Sequence, residues 1–372
     1  MTNPNLISGE ANPLKLAGSK HLDGSANGSQ DLENFHEPLL LANPENQESP
    51  ESQDSPENQE NLENQINATF KGPDCQGQDF QGRDFQERDF TNWEIEGLKF
   101  TNCDFKGANL TGANILDSQF IDCLFDGANL SEARVTDSSF SHCRLWEVNW
   151  AEAVLTSVNL EKVACLKTNF EKTSFFGVMI SPHTFLSQTV FAQAFFHNCQ
   201  VANLSFENCA LTEAIFRNTP LTRWRLKNCN LSKIMADHQS FEALLAHDLN
   251  FSQASLSGAD LSGAKLFGCN FTEAKLMGAK LKGADLTGVM ATKAIFKGAD
   301  LRLANLSYIQ AEMADFSRAN LTGAQIDKAN LRLANLHRTK GLPFEHPSAD
   351  LTGSRGTDPN LARAEDFLPK SL

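Results

Sequence analysis

The sequence has no apolar run of about 18 residues, so no membrane span is expected. Its opening residues, MTNPNLISGE, lack a positive stretch followed by an apolar core, so no secretory leader is expected either. The nine cysteines are odd in number and form no CxxC pair, which argues against a disulfide framework and against a zinc site. A reducing compartment, the cytoplasm, is the expected location. Neither GxxxxGK[ST] nor GxGxxG occurs, so no phosphate-cradling loop is present. The histidines are scattered. His142 and His197 lie near Cys143 and Cys199, but neighbours on a strand point to opposite faces. The pairs Asp237–His238 and His247–Asp248 come without a nucleophile or an oxyanion site. No catalytic residue, no cofactor and no metal is expected.

Charge is unevenly spread. Of the net −14, residues 1–69 carry −10 and residues 70–336 only −4. The run Pro44–Gln65 is almost all Glu, Gln, Asn, Ser, Pro and Asp, too polar to offset the entropy of ordering. Residues 1–66 therefore read as a disordered acidic tail. Its apolar island, Phe35 with Leu39–Leu41, is either a chance cluster or a short binding strip.

Beyond the tail a period of five takes over. Phe, Leu or Ile falls on multiples of five from Phe70 to Ile180, and one residue later from Phe191 to Leu336. A single extra residue therefore lies in the stretch 181–190. A small residue sits two places before most of these central ones, as at Ala254, Ala259, Ala264 and Cys269. A period of five fits neither 3.6 nor 2, so neither an amphipathic helix nor an ordinary strand explains it. A turn every five residues does. Four such sides bring the chain back above its start. The central residue then points inward, the residue two before must be small, and the other three face solvent. A second period of 20 follows, and Cys103, Cys123 and Cys143 show it, as do Phe100, Phe120 and Phe140. Coils of this kind contact only their neighbours, as in other solenoids.

This pattern resembles the pentapeptide-repeat family, whose motif is A-[D/N]-L-x-x. It is carried by GANL at 107–110, GADL at 258–261, 283–286 and 298–301, RANL at 318–321 and KANL at 328–331. The resemblance implies an all-β fold, a right-handed quadrilateral β-helix, over residues 67–336, with binding roles rather than catalysis. Four departures stand out. Gln78, Arg83 and Arg88 occupy positions that want small residues, so either the first coils are irregular or the helix begins near Phe100. Trp93 and Trp224 are large for the same position. Residues 237–248 keep the frame but lose the motif, as a short helical excursion or a degenerate coil. After Leu336, HRTKGLPF should end the helix, leaving 337–372 as a cap or tail that contains an isolated ADLTG at 349–353.

The expected function is a non-enzymatic scaffold that presents flat faces to a protein partner, with a homodimer possible and no nucleic acid involved. The frame break and the irregular segment supply the candidate contact residues Pro182, His183, Phe185, Phe241 and His247, because irregular segments host function. The alternative is a DNA-mimicking modulator of a type II topoisomerase, implied by the resemblance to quinolone-resistance proteins. Mimicry needs a densely negative surface, and the −4 over residues 70–336 does not supply one.

Overall fold

The structure is a computed structural model that describes residues 77–341 and 347–367. The acidic segment 1–66, with its expected disorder and its apolar island, lies outside the described residues, as does Cys75. The chain divides into two compact units, Met1–Gln53 and Asp54–Leu372, and every described residue belongs to the second.

That unit is a right-handed, four-sided β-helix. Each coil returns after 20 residues, so Asp79 pairs with Lys99, Lys99 with Gln119 and Gln119 with Ser139, all parallel. The first face is a six-stranded parallel ladder from Asp79–Gln81 to Met179–Ile180. The second carries a five-stranded ladder from Ala164–Leu166 to Leu245–Ala246. The fourth carries seven strands from Glu94–Glu96 to Ile215–Arg217. The third is held by single parallel bridges such as Asn109↔Asn129. Strands of two or three residues suffice because every coil hydrogen-bonds to the coil above and the coil below. Asp104 N–H donates to Arg83 O at 2.9 Å, and Phe85 N–H donates to Asp104 O at 2.7 Å.

The corners dictate what the fifth position tolerates. Two residues after the central ones, Ile180 excepted because Pro182 follows, φ is positive, near +47° to +62° for the non-glycine residues there. No Val, Ile or Thr appears among them, because a branched Cβ clashes in that conformation.

The interior is a set of stacked columns. Phe100, Phe120 and Phe140 lie 4.9 and 4.7 Å apart, centroid to centroid, and nearly parallel. Each is fully buried, and each burial stabilises by about 1.5–3 kcal/mol. The small inward residue has a second task. Cys103, Cys123 and Cys143 point their thiols at the carbonyls of Phe80, Phe100 and Phe120, at 3.2, 3.5 and 3.3 Å. Thr173 does the same to Trp150 O at 2.7 Å. Trp224, large for this position, also fits the rule, since its Nε1–H donates to Val201 O at 2.6 Å.

The frame shift is a corner insertion. Asn159 pairs with Met179, 20 residues on, but Ala164 pairs with Phe185, 21 on. The extra residue falls within 181–184, where Thr184 N–H closes a turn on Ser181 O at 2.9 Å. Residues 237–248 stay on the coil path: Ser240 bridges Asp260 and Leu245 bridges Lys265, so the helical excursion does not occur.

The start lies within the expected bounds, and the other end extends beyond them. The ladder already includes Asp79–Gln81, with Phe85 and Phe90 buried, so the helix does not wait for Phe100. Arg83 and Arg88 are exposed rather than inward-facing. At the other end Asn330 pairs with Asp350 and Asn335 with Arg355, so ADLTG continues the stack and the end expected at Leu336 is corrected. A helix, α1 (Pro359–Phe367), follows. Asp358 caps it, accepting the N–H groups of Asn360 and Leu361 at 2.8 and 3.1 Å, and proline at its first position matches the fixed φ required there. Glu365 fastens it to the stack, lying 2.7 Å from Arg318, 3.3 Å from His337 and 3.2 Å from Arg338. The hydrogen bond from Arg318 leads in holding the Glu365 carboxyl below its usual range.

Candidate interaction surface

The interior offers no site. Central side chains fill it from Phe85 to Leu336, and the described residues contain no cluster of three or more His, Cys, Asp or Glu that suits a metal ion. The eight described cysteines are free and buried. Burial pushes the thiols of Cys165 and Cys269 up to about 12, far from a nucleophilic thiolate. What the molecule presents is its four outer faces.

Over residues 109–169 the third face is mostly uncharged and internally satisfied. Asn129, Asn149 and Asn169 stack in one column, Asn169 and Asn149 each donating to the amide oxygen one coil below at 3.0 Å and Asn129 to the Thr111 hydroxyl at 2.8 Å. The same oxygens accept backbone N–H groups two residues on, as Ala151 N–H donates to Asn149 at 3.1 Å. These groups already have partners and leave little for a ligand.

The second face holds most of the sequence candidates. Phe185 is half-buried on it, paired in register with Ala164. His247 lies further along, its ring 6.3 Å from Phe267. Between them stands the ion pair Lys227–Glu207 at 2.7 Å, so the two do not meet. Pro182 and His183 are exposed at the corner that leads onto this face. Phe241 is a correction: it is fully buried as a central residue of the first face and cannot touch a partner. The motif loss around it had suggested exposure, but the coil frame alone decides which way it points. Trp146 also lies on this face, with the Arg144 guanidinium 4.5 Å above its ring.

The fourth face carries the feature that sequence reasoning missed. Val154, Phe176, Phe195, Ile215 and Met235 form an apolar strip over successive coils, in columns flanking the central residues. Phe195 lies 5.6 Å edge-on to Phe176 and 6.0 Å stacked on His197, with the exposed Arg217 guanidinium 5.8 Å above it. His197 Nδ1 is enclosed in this strip and has no hydrogen-bond partner. The signal was present in the sequence, since these positions normally take Asn, Ser, Thr or charge and here take large apolar groups. Beside the strip runs a corner column of Glu152, Lys172, Gln193, Glu213 and Lys233, paired within the chain as Lys172–Glu152 at 3.2 Å and Lys233–Glu213 at 3.1 Å.

Comparison with known family models agrees with the five-residue repeat. Residues 94–170 match a family model described as a pentapeptide repeat region. Residues 247–283, 269–307 and 311–339 match one described as pentapeptide repeats (8 copies). No curated protein matches the chain. Among solved structures the chain is similar to HetL, a pentapeptide repeat protein involved in heterocyst differentiation regulation from the cyanobacterium Nostoc sp. strain PCC 7120. The identity is 21% over 79% of this chain and 92% of that one, with a TM-score of 0.21. It is also similar to a pentapeptide repeat protein of the Arabidopsis thaliana thylakoid lumen, at 36% identity over 26% of this chain and 58% of that one, TM-score 0.14. A third is full-length QnrB1, a plasmid-mediated fluoroquinolone resistance protein, at 15% identity over 78% and 97%, TM-score 0.15.

Proposed function

We propose that this chain, which is a pentapeptide-repeat protein, is a non-enzymatic interaction scaffold whose flat faces bind protein. The fourth-face strip carries the reading. Val154, Phe176, Phe195 and Ile215 add nothing to the interior, and adjoining apolar groups on a surface mark contact sites. The filled interior supports the same reading, since small-molecule sites are concave and apolar side chains occupy the inside of the stack. DNA mimicry draws no support from a stack whose residues 191–336 hold 15 basic against 12 acidic groups. Free, buried cysteines favour a reducing compartment, the cytoplasm.

The test is a photo-crosslinking amino acid placed at Phe195 on the fourth face, or at Ser131 on the third, in the full chain within its native lysate. An adduct from position 195 and none from position 131 is expected. Adducts from neither position, or equally from both, would remove the reading. Gyrase supercoiling unchanged by micromolar protein is the companion expectation, and inhibition or protection there would favour the topoisomerase alternative.

A further inference from the structure

We propose that the fourth face binds a second copy of this chain, laid antiparallel with a two-fold axis crossing the Phe195 coil. This deepens the scaffold reading and rests on it.

Two identical ladders related by such an axis meet column to column, each coil facing the one equally far on the other side of the centre. The observed register fixes the neighbours: Phe195 pairs with Ser174 on one side and Ile215 on the other, followed by Val154 and Met235. Phe195 then faces Phe195 of the second copy, and Met235 faces its Val154. Exposed Met277 falls opposite the second copy's half-buried Leu116. Arg217, which forms no ion pair among the described residues, falls over the second copy's Phe176, a cation above an aromatic face.

The corner column provides the independent argument. Read along the stack it runs Glu152, Lys172, Gln193, Glu213, Lys233. Reversed on itself about Gln193, it sets Lys172 against Glu213 and Glu152 against Lys233, and glutamine against glutamine. Further out, Lys297 falls opposite Glu96. No two like fixed charges oppose one another in this register. Moving the axis one coil either way puts Glu213 or Lys172 against itself. Moving it half a coil puts Glu152 against Glu213, or Lys172 against Lys233. The column continues Gln253, Glu273, Lys293 and is complementary about Gln253 too, but a centre there sets Arg217 against Lys297, so the charges select the same centre as the apolar strip, and rim charges of this kind set register.

The area is adequate. From Glu94 to Ile295 the face measures roughly 50 Å by 15 Å at strand spacings of about 4.8 Å and 3.3 Å per residue. That is on the order of 750 Å² on each copy, near the ~800 Å² per partner of a stable complex.

Sedimentation equilibrium of the purified full chain tests the proposal. Twice the chain mass is expected at tens of micromolar, and one chain mass for Phe195→Glu with an unchanged circular-dichroism spectrum. Lys172→Glu alone weakens association about tenfold at low salt, as like charges meet, and adding Glu213→Lys restores it. A single-chain mass at about a hundred micromolar, or a dimer indifferent to Phe195→Glu, would overturn the proposal. If that monomer still gives the position-195 adduct in lysate, self-pairing fails while the scaffold reading stands; loss of both removes both.

Discussion

Two buried tryptophans make a controlled comparison of hydrogen-bond satisfaction in one stack. Trp224 Nε1–H donates to Val201 O at 2.6 Å, while Trp150 Nε1–H is enclosed with no partner. Both rings are essentially buried and packed among phenylalanines, Trp224 near Phe206 and Trp150 near Phe140 and Phe170. Replacing either by phenylalanine loses part of a ring and leaves a small void of similar size. The polar consequences differ in sign. Trp224→Phe strands the Val201 carbonyl, costing about 1–3 kcal/mol on top of the void. Trp150→Phe removes an unsatisfied donor, which returns a similar amount and offsets the void. The expected outcome is a loss of about 2–4 kcal/mol for Trp224→Phe and a change within about 1 kcal/mol for Trp150→Phe. Both sites lie inside the stack, away from fraying ends, so equilibrium guanidinium unfolding followed by circular dichroism reads them on the same footing. Equal destabilisation by the two substitutions would refute the reasoning.

Asn149→Ala should cost about 1–2 kcal/mol, since that amide accepts from Asn169 and Ala151 and donates to Asn129, and the loss would show as a lower unfolding midpoint. Gly341→Ala should destabilise the C-terminal coils by about 2 kcal/mol or more, because φ is +77° and an added Cβ would lie 2.5 Å from the Thr322 backbone; hydrogen exchange of residues 320–340 is the readout. Docking of α1 should depend on pH through Glu365. Its folded pKa is lowered, so the stabilisation is fully present above the unfolded value of about 4.3 and is lost as pH falls through the lower folded value. Proteolysis at 359–367 should therefore rise only in acid for the natural chain, and be raised already at neutral pH in Glu365→Gln.

The interior was legible in the sequence because one rule generates it. A period of five, reinforced at 20, fixes which residue points inward, and it placed Phe100, Phe120 and Cys123 correctly without any contact information. The same rule, trusted further, would have placed Phe241 inside; it was set outside only because the motif around it had decayed, and the frame proved the stronger signal. Residues 349–355 were the converse case. ADLTG looks isolated because the eight residues between Lys340 and Ala349 carry no motif, yet the register from Asn330 to Asp350 is unbroken at 20. Helix α1 has no five-residue signature, so the sequence alone leaves it inside an undivided cap or tail.

The outer surface was less legible for a physical reason. Three of every five positions face solvent, and the fold constrains only the corner position, through its positive φ. The other two are free, so their information concerns binding rather than folding. At such positions large apolar residues bring no interior burial and add aggregation risk, and a chain that keeps Phe176, Phe195 and Ile215 on adjacent coils retains them against that cost. Beside them the order Glu, Lys, Gln, Glu, Lys pairs Lys172 with Glu152 and Lys233 with Glu213 within the chain, and the same order is complementary to itself across the two-fold pairing proposed above. In a solenoid the columns that the repeat leaves unconstrained are therefore where function is written, and a sequence is best read for it column by column at the coil period rather than along the chain.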